Sequence, residues 1–208
     1  MRREKALKKS LKLKTKAAAL VFAVCLLLSV CACSDTRMTA EEIKEVLPDL
    51  VENSFVLNEI YFGEGFPPTS EAAKAANVSG YYYVDCEFLG FYSITEIKEA
   101  TEKIFTPEYA ALLYQTAFDG FATDDTVVAA RYIEGELGLM QSMHSTVYEI
   151  AERSYDYSTL QIVKNSKDRA RITVETVADS ERTTVELIVV RTTTDDGAYV
   201  YRLDSPTY

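Results

Sequence analysis

Tryptophan is absent from this 208-residue chain, histidine occurs once, and glycine occurs only eight times. Each shortage removes a class of chemistry. With His144 as the sole histidine, a zinc site built on two histidines is impossible. Any Ser-His-Asp or Cys-His arrangement would have to pass through that one residue. No G-x-S-x-G stretch is present, and Ser142 and Ser145 beside His144 do not make a triad. Eight glycines leave little backbone for a phosphate-binding loop, and none of that type is found.

Cysteine is equally scarce where it could staple a fold. Cys25, Cys31 and Cys33 sit in the first 33 residues, which leaves Cys86 alone in the rest. An intramolecular disulfide framework is thereby excluded, and the fold must rest on its core. Cys86 lies in the strand-like run Tyr82–Phe88, where a buried structural thiol is the expectation rather than a nucleophile. Calcium needs several oxygens converging from a loop of defined spacing, and no such loop is evident. The carboxylate pairs Asp124-Asp125, Glu134 with Glu136, and Asp195-Asp196 have no specific catalytic setting. Asp195-Asp196-Gly197 reads as hairpin-turn chemistry, because Asp and Gly tolerate left-handed backbone. The sequence therefore points to no catalytic residues, no metal and no cofactor.

Positive charge is concentrated at one end. The first sixteen residues carry Arg2, Arg3, Lys5, Lys8, Lys9, Lys12, Lys14 and Lys16 against Glu4 alone. An uncharged run follows from Ala17 to Cys33, and this basic-apolar-small order is the layout of a secretory signal. Its apolar part, Ala17 to Val30, is short of the roughly 20 residues that a bilayer-spanning helix needs. Val30-Cys31-Ala32-Cys33 resembles a bacterial lipobox, with an aliphatic residue at −3 and a small one at −1. Cys33 is the expected lipid-attachment site, followed by a polar Ser34-Asp35 start. The chain then divides into a signal peptide at 1–32, a tether with N-terminal helix at 33–54, and one α+β domain at 55–208. The expected location is the outer face of the cell membrane, with the lipid on Cys33 as the membrane contact.

Removing residues 1–32 leaves 14 basic and 31 acidic residues, a net of −17. Nucleic acid is excluded as a partner, because its binding needs clustered Lys and Arg to displace counterions. About 175 residues suffice for one domain with a real core. Solubility, or electrostatic steering toward a basic partner, accounts for the acidity.

Local signals order the elements. Thr39-Ala40-Glu41-Glu42 is a capping box opening a helix with Ile43, Val46, Leu47 and Leu50 on one side, which Pro48 is expected to interrupt or kink. Residues 63–80 read as a loop with a helical turn at 71–76, and Tyr81 to Phe88 as extended. Ser93-Ile94-Thr95-Glu96 opens a second helix. Thr106-Pro107-Glu108 opens a third, whose inner face is Tyr109, Leu112, Leu113 and Ala117 and which Gly120 closes. Beyond residue 130 the period becomes alternating. A hairpin spans Arg131–Glu134 and Leu137–Gln141, and strands follow at Ser158–Lys164, Ala170–Val177, Thr183–Thr192 and Ala198–Leu203. The strand Thr183–Thr192 is apolar on both sides at its centre and so is expected inside the sheet. The fold class is α+β, with N-terminal helices packed on a curved antiparallel β-sheet. Fourteen tyrosines, dense at Tyr81-Tyr82-Tyr83 and at Tyr148, Tyr155 and Tyr157, fit either sheet packing or a half-exposed aromatic surface.

The order of Tyr81-Tyr82-Tyr83-Val84, Ser93–Ile97, Phe105–Tyr109, Arg131–Glu134 and Arg202–Tyr208 resembles uncharacterised lipoproteins of Gram-positive anaerobes. Those in turn are similar to the IseA-like DL-endopeptidase inhibitor family. The resemblance covers roughly residues 55–208, and its matching stretches are mainly scaffold positions. It implies an α+β domain that binds a cell-wall peptidase of the NlpC type and blocks its cleft without chemistry of its own. The lipid-anchored start departs from that secreted type. Three readings follow: a non-enzymatic protein-binding module, of which a peptidase inhibitor is the sharpest form; a small-ligand-binding domain of the nuclear-transport-factor-two-like cone type; and an enzyme working through His144 or a carboxylate pair. A tyrosine-rich or acidic patch favours the first, a pocket of converging polar groups the second.

Overall fold

The computed structural model describes residues 37–77, 79–122, 127–150 and 153–208. Cys33, the whole signal segment and Asp124-Asp125 lie outside the described residues. Arg37 to Tyr208 form one compact unit.

Helix α1, Ala40–Tyr61, begins where the capping box places it. The Thr39 side chain accepts from the Glu42 amide at 3.1 Å, and the Thr39 amide donates to Glu42 Oε2 at 3.2 Å. Contrary to expectation, Pro48 does not end the helix, which runs unbroken through it and across the 54/55 boundary drawn in the sequence. Proline inside a helix costs about 3 kcal/mol. Ile43, Leu47, Leu50, Val51, Leu57 and Ile60 are buried on either side of it, and each such side chain contributes about 1.5–3 kcal/mol. Burial wins by a wide margin.

Short helix α2, Glu71–Ala75, is capped by Ser70, and strand β1 is Tyr81–Tyr83. The extended run expected to Phe88 stops early. Asp85 Oδ1 accepts from the Glu87 amide at 3.1 Å, and the Gly90 amide reaches the Cys86 carbonyl at 2.9 Å. Cys86 is therefore half-buried in a turn, not a strand.

Helix α3, Ile94–Ile104, has Ser93 as N-cap, but its box is displaced: Glu96 Oε2 accepts from the Tyr92 amide at 2.6 Å. Helix α4, Pro107–Tyr114, starts on Thr106 and passes into a π-helical turn, Gln115–Asp119. Gly120 ends it at φ +66, and a Cβ there would stand 2.7 Å from the Val128 carbonyl, so glycine is required. Within α4 the inner face differs from expectation. Ala110 and Leu113 are buried, whereas Leu112 points into solvent at 63% exposure.

A two-stranded ribbon, β2 (Phe121–Ala122) with β3 (Val127–Val128), precedes the hairpin β4 (Tyr132–Gly135) and β5 (Gly138–Ser142). The long strands β6 (Arg153–Asn165), β7 (Arg169–Ala178), β8 (Glu181–Thr193) and β9 (Tyr199–Leu203) form an antiparallel meander, β6-β7-β8-β9. The fold is α+β, and β8 is interior as its two-sided apolarity predicts. The strands do not share one sheet, however. The hairpin joins β1 in a separate three-stranded sheet, β1-β5-β4, with Tyr82 and Tyr132 both opposite Gln141.

The core lies between α1 and one face of the meander, with Ala170, Ile172, Val174, Leu187, Val189 and Leu203 supplying the sheet side. The C-terminal segment locks the layers together. Thr207 Oγ1 meets Ser54 Oγ at 2.6 Å and accepts from Asn58 Nδ2 at 2.9 Å, while the Tyr155 hydroxyl donates to the Thr207 carbonyl at 2.7 Å.

Candidate functional site

At the C-terminal end of α1 the chain leaves a cleft of about 770 Å³. Its walls are Tyr61 and Phe62 from α1, Tyr109, Leu112 and Leu113 from α4, the β3 edge around Val127, and the segment Ser142–Tyr148. Large apolar side chains at its rim are open to solvent, among them Val127 at 80%, Leu112 at 63% and Tyr148 at 57%. Beside the mouth, the Phe62 ring lies between Tyr208, 4.5 Å away between centroids, and Tyr148, 6.5 Å away edge-on. Burial pushes the Tyr61 and Tyr109 hydroxyls far above the usual tyrosine range, so both stay neutral.

Arg131 builds the floor. It is 5% exposed, and no carboxylate forms an ion pair with it among the described residues. Its Nη1 donates to the Thr146 carbonyl at 2.9 Å, Nη2 to the Gly63 carbonyl, and Nε to the Tyr132 hydroxyl at 3.2 Å. The Tyr132 hydroxyl passes the chain on to the Ile60 carbonyl at 2.8 Å. A buried guanidinium is tolerated only when its donors are satisfied. Here they are satisfied by tying three segments together: the end of α1, strand β4 and the Ser142–Tyr148 segment.

That segment separates two cavities. Met143 and Val147 line a second one, of about 700 Å³, whereas His144, Thr146 and Tyr148 face the aromatic cleft and Ser145 borders both. The alternation marks an extended strip. The second cavity is bordered by Glu59, Glu64, Lys74 and Gln141. Gln141 clamps the loop after α1, accepting from the Phe66 amide at 2.9 Å and donating to the Glu64 carbonyl at 2.7 Å. Gly65 sits in that loop at φ +76, where a Cβ would fall 2.3 Å from the Tyr132 hydroxyl.

The residues singled out from sequence fall apart in space. His144 is exposed in the turn after β5, and its backbone amide donates to Ser142 Oγ at 3.2 Å. Glu134 Oε1 accepts from the Ile94 amide at 2.9 Å and so helps cap α3. Glu136 is exposed. Asp196 Oδ1 accepts from the Thr194 hydroxyl and the Ala198 amide, which is the turn role read from Asp195-Asp196-Gly197. Burial pushes the Cys86 thiol up, away from thiolate character. Of the tyrosines, Tyr155 and Tyr157 stack at 5.9 Å, Tyr82 is buried, and the Tyr81 hydroxyl donates to the Ala130 carbonyl at 2.6 Å. Sheet packing accounts for these, and Tyr148 alone of that set opens to solvent.

Sequence reasoning missed Leu112, Val127, Phe62 and Arg131. A signal was available for the last. Between Lys103 and Arg153 the chain holds eight acidic residues and a single base, Arg131. A lone cation in so acidic a stretch points to a fixed structural position. Compared against protein families, curated proteins and solved structures, the chain matches none.

Proposed function

We propose that this chain is an exported lipoprotein fastened to the outer face of the cell membrane through Cys33, and that its α+β domain is a non-enzymatic protein-binding module. The observation that carries the binding reading is the exposure of Leu112, Val127 and Tyr148 around one cleft. Large apolar side chains left in water on converging walls favour a surface that another molecule covers. The sharpest form rests on the resemblance to IseA-like inhibitors: the domain would occlude the catalytic groove of a cell-wall DL-endopeptidase.

A second reading, a small-ligand site, is favoured by the cleft volume of about 770 Å³, which falls within the usual range for small-molecule pockets. One experiment separates the two. The 34–208 protein is immobilised, exposed to cell-wall extract and assayed against peptidoglycan hydrolases. The expected result is capture and slowing of a hydrolase by the wild type, lost in Leu112→Asp. If no hydrolase is retained or slowed at micromolar protein, the inhibitor form fails, and an apolar small molecule extracted from the purified protein would support the second reading. Separately, Cys33→Ala is expected to release the protein from the membrane fraction. Continued attachment with an uncleaved signal would refute the anchor.

A further inference from the structure

Most of the aromatic cleft is built from one strongly acidic stretch of the chain. Residues 104–152 contain Glu108, Asp119, Asp124, Asp125, Glu134, Glu136, Glu149 and Glu152 against Arg131 alone. Arg131 is buried at the floor, and its donors are taken by neutral oxygens of the protein, so the charges exposed at the rim are the carboxylates. Glu108, Asp119 and Glu149 are all exposed, and each adjoins or lies within two residues of a cleft wall: Tyr109, Ala117 and Tyr148. An apolar opening is thus bordered by negative charge with no exposed Lys or Arg from the same stretch.

The second observation concerns the strip beside it. Ser145 to Ile150 belongs to no strand. Within it Thr146 and Tyr148 border the aromatic cleft and Val147 between them borders the other cavity, as an extended backbone requires. It is held by the Tyr148 amide on the Phe62 carbonyl at 2.8 Å and by Arg131 on the Thr146 carbonyl. Among the described residues, the backbone groups of Val147 and Glu149 carry no hydrogen bond. An extended, exposed strip with open backbone groups is a template for pairing with another chain.

We infer that the cleft receives a cationic, extended polypeptide segment, which pairs with the Ser145–Ile150 strip and lowers an aromatic or branched aliphatic side chain between Leu112 and Tyr148. This rests on the reading of the cleft as a protein-binding surface and specifies the partner's chemistry. The cations of the segment lie opposite Glu149 and Asp119, where opposite charge speeds encounter and fixes register. The apolar anchor supplies the affinity, since a few desolvated side chains dominate such contacts.

Fluorescence anisotropy with a short labelled peptide alternating lysine and leucine tests this on the purified protein. The peptide is expected to bind, and more weakly as salt rises. Peptides with glutamate for lysine, or serine for leucine, are expected not to bind. Asp119→Lys with Glu149→Lys should weaken binding about tenfold, as should Leu112→Gln. All three positions are exposed, and thermal melts matching the wild type confirm folding. An alternately N-methylated peptide should also bind about tenfold more weakly; unchanged affinity overturns strand pairing. If Leu112→Gln abolishes binding while charge reversal changes nothing, the cleft binds but the cationic partner is refuted. If neither variant matters, the cleft is not the surface and the protein-binding reading falls with it.

Discussion

Arg191 on β8 and Glu42 in the first turn of α1, 149 residues apart in sequence, meet with Nη1 2.7 Å from Oε1. The same carboxylate oxygen accepts the Tyr201 hydroxyl, and Arg191 Nη2 donates to the Lys167 carbonyl at 2.8 Å. The pair joins the start of the helical layer to the middle of the sheet. Burial acts to raise the Glu42 pKa, but the hydrogen bonds from Tyr201 and Arg191 outweigh it and hold the carboxyl below its ordinary 4.5.

Glu42→Gln is therefore expected to destabilise the domain at neutral pH by about 2 kcal/mol, between the values for exposed and fully buried pairs. A carboxyl with a depressed folded pKa stabilises above its unfolded value and loses that contribution as pH falls through the folded one. The gap between wild type and Glu42→Gln should thus be full above pH 4.5 and shrink steadily below it. Urea melts across acid pH would measure this, and a gap independent of pH would contradict the assignment.

Neighbouring leucines on α4 should behave oppositely. Leu113 is buried, so Leu113→Ala should cost about 3 kcal/mol. Leu112 is exposed, and Leu112→Ala should shift stability by no more than about 0.5 kcal/mol while weakening whatever occupies the cleft. Denaturant midpoints for the two variants decide the point.

The C-terminal lock offers a third measurement. Thr207→Val removes the hydroxyl shared by Ser54 and Asn58 and leaves both buried groups short of a partner. A loss of about 2 kcal/mol is expected. Ser54 keeps its bond to the Val51 carbonyl at 2.7 Å, so the loss should fall chiefly on the Asn58 amide, and chemical denaturation of the variant measures it.

Alkaline titration tests the buried tyrosines. Burial pushes Tyr132 and Tyr155 up to about 12, and Tyr61, Tyr109 and Tyr114 further still. A raised folded pKa stabilises below the unfolded value near 10 and is lost as pH rises through the folded value. The tyrosinate absorbance of this buried set should therefore rise only with unfolding, well above pH 10.

Arg131→Gln should free the strip. Hydrogen exchange at the Tyr148 amide is expected to accelerate, with stability falling by about 2 kcal/mol as charged donors to two carbonyls are lost. Protection unchanged from wild type would show that the strip is held by other means.

Much of this architecture was readable because it is local. Thr39, Ser93 and Thr106 announce their helices through oxygens that reach amides three residues on, and Gly120 and Gly197 mark turns that only positive φ can make. The cleft was not readable for an equally physical reason. Ala110, Ala111, Leu112 and Leu113 are consecutive apolar residues, so their pattern has no polar face to say which leucine points inward. Likewise, β1 joins β5 rather than the meander through register between Tyr82 and Gln141, and alternation within either strand carries no information about its partner. Pro48 misled because a local rule was outweighed by the burial along α1.

Helix α1 also sets a length. Its 22 residues span about 33 Å at 1.5 Å per residue. The chain enters the domain at its first turn, where the Asn165 side chain donates to the Met38 carbonyl, and the cleft opens at its last, around Tyr61 and Phe62. The entry of the chain and the cleft therefore stand at opposite ends of one helix, about as long as a bilayer's hydrocarbon layer is thick. Because Glu42 is tied to Arg191 near one end and Ser54 and Asn58 to Thr207 near the other, removing a turn would pull these contacts out of register, so the packing of the core fixes the spacing.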